Sequence, residues 1–197
     1  MYVSATLPYT PEILAHFIAR YNAENWPVAI IAALLTVAAL WLCLRADRSA
    51  TRFIGILLAL FWGWTGCAFY LTGFAAYDFL APIYGWAFIA EAALLAVGFT
   101  LRAPFVVSLR LTPAAVFGLA LLFAALMAYP AAMVAYEGSW ASYRFVGLTP
   151  VATSLFTLGV LALGEGGGKV RASLAVLPAL HLIAAAASAV VTLHAPG

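Results

Sequence analysis

Six stretches of roughly 20 residues, at 27–44, 52–73, 82–101, 113–134, 146–164 and 170–193, carry almost no charge, and this constrains the fold more than any other feature of the chain. A helix needs about 20 largely apolar residues to cross a hydrocarbon core about 30 Å thick. Within such a core each backbone N–H and C=O must find its partner inside the protein, so runs of this kind form helices. Charge, Pro or Gly closes each run. Pro27, Pro82, Pro113 and Pro150 stand at or near the starts of four of them, where a missing N–H costs a helix least. The expected fold is all-α: a polytopic membrane protein with six transmembrane helices over 27–197, preceded by a surface segment over 1–26. The connectors are short, so consecutive helices should run antiparallel.

Composition removes the alternatives. Of the 197 residues, 66% are hydrophobic and 8% charged, whereas an average soluble domain is about 45–50% apolar and about 25% charged. Too few charges remain to clothe a soluble globule, a disordered chain or a collagen-like repeat. A net charge of +2, from nine Lys and Arg against seven Asp and Glu, is too small for a nucleic-acid partner. Cys43 and Cys67 lie inside apolar runs and form no spaced framework, so neither a disulfide scaffold nor a zinc site is expected.

The first twenty residues lack a basic start followed by an unbroken apolar run, so they are not expected to act as a cleaved signal. Thr10 can cap a helix that begins with Pro11 and holds Glu12 in its first turn. Ile13, Leu14, Phe17, Ile18 and Tyr21 then recur at helical spacing, opposite Glu12, His16 and Arg20. The pattern predicts a short amphipathic helix lying on the membrane surface.

Basic residues divide unevenly between alternate loops. Arg45, Arg48, Arg52, Arg102, Arg110, Lys169 and Arg171 fall on one side, leaving Arg20 and Arg144 on the other. Positively charged loops stay cytoplasmic, so both termini are expected outside. Trp26, Tyr77, Tyr84, Tyr129, Tyr136, Trp140 and Tyr143 then form an aromatic belt at the outer boundary. Three helices per half would give the halves the inverted relation found in many transporters, although residue identity between them does not establish a repeat.

Most motif tests fail. Gly164-Glu165-Gly166-Gly167-Gly168-Lys169 resembles a phosphate loop, but Leu163 replaces the required first glycine and Val170 follows the lysine. It reads as a flexible turn. The informative residues are polar ones deep in the apolar runs. At about 1.5 Å per residue, Glu91 lies roughly 13 Å in from the outer end of the third run and His181 roughly 16 Å in from the inner end of the sixth. Trp62, Trp64 and Thr157 reach a similar depth. Helical phase adds Tyr84 to the Glu91 face, Ser188 and Thr192 to the His181 face, and Thr65 beside Trp62. Glu91, His181, Trp62, Trp64, Thr65, Thr157, Tyr84 and Ser188 are therefore the candidate ligand or proton site. Ionisable groups at this depth are costly, about 2.5–3.5 kcal/mol for a central charge on insertion scales, and by default mark a site. An isolated Glu91 or His181 is expected to be uncharged. The competing reading is structural: Glu91 could bond a neighbouring helix, and His181 a carbonyl freed by Pro178. Trp62-Gly63-Trp64 could likewise be packing bulk. No cofactor or metal is expected, since a lone midplane histidine lacks the second axial ligand that membrane haem usually takes.

Leu7-Pro8-Tyr9-Thr10-Pro11-Glu12, then Tyr21-Asn22, Trp26-Pro27 and Trp62-Gly63-Trp64-Thr65-Gly66, resemble the motifs of a family of uncharacterised bacterial integral membrane proteins of about this length. The resemblance covers essentially the whole chain. It implies a multi-pass protein of the bacterial inner membrane and assigns no catalytic or binding residue. Some members have been labelled permeases of the major-facilitator type, a fold of which six helices would be half.

Two functions fit these observations. One is a small inner-membrane permease, alone or as a homodimer, in which Glu91 and His181 exchange protons or hold a small polar solute. The other is a non-catalytic membrane subunit or scaffold that packs on a partner in a larger complex. An enzyme is not expected, because no nucleophile with its base and no metal constellation is visible.

Overall fold

The computed structural model describes residues 10–101, 105–110 and 112–194, the last four by backbone alone. Leu7 to Tyr9, Arg102 and the side chains of Thr192 and His194 lie outside the described residues. Helix α1 (Pro11–Glu24) turns at Asn25 directly into α2 (Trp26–Cys43). Asp47 caps α3 (Arg48–Trp64), accepting the Ala50 N–H at 2.7 Å. This helix runs on without a break into a π-helical stretch, Thr65–Gly73, and a last tight turn at Phe74–Ala76. Next come α4 (Ala81–Thr100), strand β1 (Phe105–Val107) and α5 (Pro113–Phe123), which passes through a second π-helical stretch, Ala124–Ala128, into α6 (Tyr129–Glu137). Gly138, at φ 66°, stops α6 in the left-handed conformation that glycine adopts freely. The chain ends with α7 (Pro150–Ala162), β2 (Gly164–Gly166) and α8 (Gly168–His194).

The all-α expectation holds, and five of the six runs form helices of spanning length. Among the described residues five helices are long and apolar enough to cross a membrane: Trp26–Cys43, Arg48–Ala76, Ala81–Thr100, Pro113–Glu137 and Gly168–Val190. The sixth run, 146–164, instead holds the 13-residue α7, about 20 Å long at 1.5 Å per residue. Its first residues are irregular backbone, and every residue from Val146 to Pro150 is buried. Protein groups satisfy that backbone: Gly147 N–H donates to Thr153 Oγ1 at 2.9 Å, the Gly147 carbonyl accepts from Thr65 Oγ1 at 3.1 Å, and Thr149 N–H donates to the Phe145 carbonyl at 2.9 Å. Non-helical backbone is tolerated at such a place only when encased in protein. Since residues 145–149 are as apolar as a helix, hydropathy could not reveal the break.

Small residues set the helix contacts. A Cβ on Gly55 would lie 2.0 Å from Phe99 Cβ, and one on Gly66 2.8 Å from the Gly85 carbonyl, so α3 and its π-helical continuation press directly on α4. Gly118 and Gly159 do the same between α5 and α7.

At one end of the bundle β1 and β2 pair antiparallel, Val106 opposite Glu165, and Thr51 Oγ1 accepts the Val107 N–H at 3.0 Å. The start of α3 with Arg48 and Arg52, the β1–α5 connection with Arg110 and the start of α8 with Lys169 and Arg171 are thereby gathered at one end. At the other end α1 sits on the loop after α6, where Asn22 Nδ2 donates to the carbonyls of Ala141 and Tyr143 at 2.8 and 2.9 Å.

α1 forms where expected, and Phe17, Ile18 and Tyr21 of its apolar face pack on protein while Ile13 stays exposed. Phe17 packs against Phe69, Phe74 and Tyr77, with ring centroids 5.2–5.5 Å apart, and Phe17, Ile18, Tyr21 and Asn22 are buried. The ring-lined groove above the π-helical stretch gives this face a partner within the chain. Burial pushes the Tyr21 hydroxyl up to about 12, partly offset by the hydrogen bond it accepts from Trp64 Nε1 at 3.1 Å. Cys43 is buried and Cys67 exposed, and both thiols are free.

Candidate functional site

His181 stands at the centre of a polar cluster built by four helices. Its Nδ1 is hydrogen-bonded to Ser154 Oγ of α7 at 3.0 Å and its Nε2 to the Tyr70 hydroxyl, from the π-helical stretch, at 3.2 Å. The Phe88 ring of α4 meets the imidazole edge to face at 5.1 Å, and Trp62 stacks on Phe88 at 4.2 Å. Trp62 Nε1 donates to Thr157 Oγ1 at 2.8 Å, and Thr157 donates in turn to the Thr153 carbonyl. One aromatic and hydroxyl framework therefore holds His181 by both ring nitrogens, and the carbonyl that Pro178 would free is not its partner.

Glu91 is fully buried, and neither carboxyl oxygen has a hydrogen-bond partner. Its position follows from helix arithmetic. A Cβ on Gly98 of α4 would meet the Leu174 side chain of α8 at 2.8 Å, which puts these residues face to face. Glu91 precedes Gly98 by seven residues and His181 follows Leu174 by seven. Seven residues make two turns, so each residue returns to the contact face about 10.5 Å along its helix. As α4 and α8 run in opposite directions, both steps lead the same way, which puts Glu91 on the α8 side of α4 within about a turn of His181, whose ring touches Phe88. They make no direct hydrogen bond, because both nitrogens of His181 are taken.

Of the other candidates, Trp62 and Thr157 join the cluster. Tyr84 stands beside it, its ring 5.7 Å from that of Tyr70, and is 38% exposed. Three belong elsewhere. Trp64 bonds Tyr21 and anchors α1; it follows Trp62 by two residues, about 200° around the helix, and so takes a different face. Thr65 binds the Phe61 and Gly147 carbonyls and secures the irregular segment. Ser188 donates to the Ala184 carbonyl of its own helix, as a serine in an apolar helix commonly does.

A model for a protein family of unknown function, DUF6064, matches residues 11–196. The chain belongs to that family. No curated protein and no solved structure matches it.

Sequence reasoning missed Tyr70 and Ser154, the two partners of His181. Ser154 carried a signal, since it precedes Thr157 by three residues and shares its face. Tyr70 did not, because an α-helical count from Trp62 lands on Phe69. The π-helical stretch takes more residues per turn, so Tyr70 reaches the site while Phe69 turns to Phe17 and Tyr21.

Proposed function

We propose that this membrane protein is a small proton-linked permease of a bacterial inner membrane, with Glu91 and His181 as its working pair. The observation that carries the reading is the buried, partnerless carboxyl of Glu91, one turn along α4 from the Phe88 ring that touches the imidazole. A carboxyl that only braces helices uses its oxygens in hydrogen bonds, whereas Glu91 leaves both oxygens without a fixed partner and so able to take up and release a proton. The π-helical stretch next to the site, a feature often found at functional positions, and the break before α7 support it.

We read the chain as crossing the bilayer six times, with α7 as a short crossing sheathed by the longer helices. The loops that α7 joins belong to opposite ends of the bundle, one tied to α1 and the other to β1. The end that gathers Arg48, Arg52, Arg110, Lys169 and Arg171 is then cytoplasmic and both termini are outside. Alkaline phosphatase fused after Gly197 is expected to be active; activity of a cytoplasmic reporter alone at that position would reverse the orientation.

The function is tested in vesicles loaded with a pH-sensitive dye, with a potassium gradient and valinomycin driving proton entry, in the presence of acetate, glycine and glycerol. The wild type is expected to accelerate acidification, and Glu91→Gln and His181→Ala each to abolish the acceleration at equal amounts of folded protein. The double variant should lose no more than either single one, because groups acting as a unit are non-additive. Full activity in Glu91→Gln would overturn the reading.

A further inference from the structure

Resting on that assignment of the working pair, we propose that the species carried is the proton alone, relayed along a fixed chain from Ser154 through His181 to Tyr70. Two observations point there. First, a hydroxyl is bonded to each nitrogen of the imidazole, at 3.0 and 3.2 Å. A hydroxyl both donates and accepts, so each end of this chain can receive a proton and pass one on. Second, the ring surfaces around the imidazole are in contact: Phe88 lies 5.1 Å from both His181 and Tyr70 and 4.2 Å from Trp62, and Phe88, Tyr70 and Trp62 are 3%, 6% and 1% exposed. Such packing leaves a solute of several heavy atoms no bed on the Phe88 side of His181. Surface hollows of about 530 and 410 Å³ lie along α1 and α2.

The transfer balances with water as the proton donor at one end and the acceptor at the other. The Ser154 hydroxyl gives its proton to Nδ1 and takes one from water on its far side, while Nε2 gives its proton to the Tyr70 oxygen, which releases its own hydroxyl proton to water. One N–H forms and one breaks, and no electrons are exchanged. Turning of the imidazole about its side-chain bonds presents it for the next proton. Glu91, on the α8 side of α4 and bonded to no member of the chain, is the carboxyl nearest it on α4, and the half-exposed Tyr84 beside Tyr70 marks the edge toward which the proton leaves.

The test uses the full-length chain in the same dye-loaded vesicles, but in potassium salts with no acetate, glycine or glycerol. The wild type is expected to conduct protons under these conditions. Tyr70→Phe and Ser154→Ala, which remove a hydroxyl and keep the packing, are each expected to lower the flux at least tenfold per folded protein, with melting curves recorded alongside. Ser154→Thr keeps the hydroxyl and should retain flux. Proton entry by the wild type only when a solute is added would overturn the proton-only inference while leaving the permease standing. Undiminished flux in folded Tyr70→Phe or Ser154→Ala would overturn the relay. Failure of the working pair itself shows separately, as full activity in Glu91→Gln.

Discussion

Glu91→Met is expected to melt higher than the wild type and to carry no protons. Both oxygens of Glu91 are buried without partners, and an unsatisfied buried polar group costs about 1–3 kcal/mol, a cost that an apolar side chain of similar shape removes. For a chain of this length each kcal/mol moves the midpoint by about 2–4 °C, so a rise of several degrees should be visible in tryptophan fluorescence, to which the buried Trp62 contributes. Glu91→Gln, which leaves an amide with the same missing partners, should gain little. A stabilised but silent variant is what a proton-carrying group predicts, since a destabilising feature held at a working site is exchanged for stability when it is removed. A lower midpoint in Glu91→Met would mean that the carboxyl braces the fold, and the working pair would lose its warrant.

The sequence disclosed its helices more readily than their roles. Apolar runs ended by Pro, Gly and charge placed the spans Trp26–Cys43, Arg48–Ala76, Ala81–Thr100, Pro113–Glu137 and Gly168–Val190 within a few residues, because length and hydropathy are properties of one segment alone. The α1 periodicity was equally legible, but periodicity identifies an apolar face and not what covers it; here Phe17 meets Phe69, Phe74 and Tyr77. Glu91 and His181 could be singled out because an ionisable residue is conspicuous in an apolar run. Their relation was not legible, since it depends on Leu174 meeting Gly98, a contact between helices remote in sequence. The π-helical stretch was hidden too: nothing in Thr65–Gly73 announces an extra residue per turn, yet that residue decides whether Phe69 or Tyr70 reaches the histidine. Arg144 shows the same limit from the other side, having counted in the sequence only as one loop charge among nine Lys and Arg.

Arg144→Met is expected to cost far more than the loss of a loop charge. The Arg144 side chain is 3% exposed and paired with Glu137, itself 9% exposed, and Arg144 Nη1 also donates to the Ser142 carbonyl at 2.8 Å. The other oxygen of Glu137 has no partner, so removing the guanidinium strands a buried carboxylate. Breaking such a pair from one side typically costs about 3–5 kcal/mol, whereas replacing both members by packed apolar residues is often neutral. The double variant Arg144→Met with Glu137→Leu should therefore recover most of the stability that Arg144→Met loses, and the two changes should be strongly non-additive in a mutant cycle. The consequence reaches the histidine, because this pair holds the loop from which the chain enters the irregular segment and then α7, the helix that presents Ser154. Below its lowered midpoint the single variant should conduct protons poorly, and the double variant should conduct them nearly as well as the wild type. A loss under about 1 kcal/mol in Arg144→Met, the size expected of an exposed pair, would mean that water reaches this corner and that the loop is held mainly by Asn22 and by the bond from the Tyr143 hydroxyl to the Leu126 carbonyl.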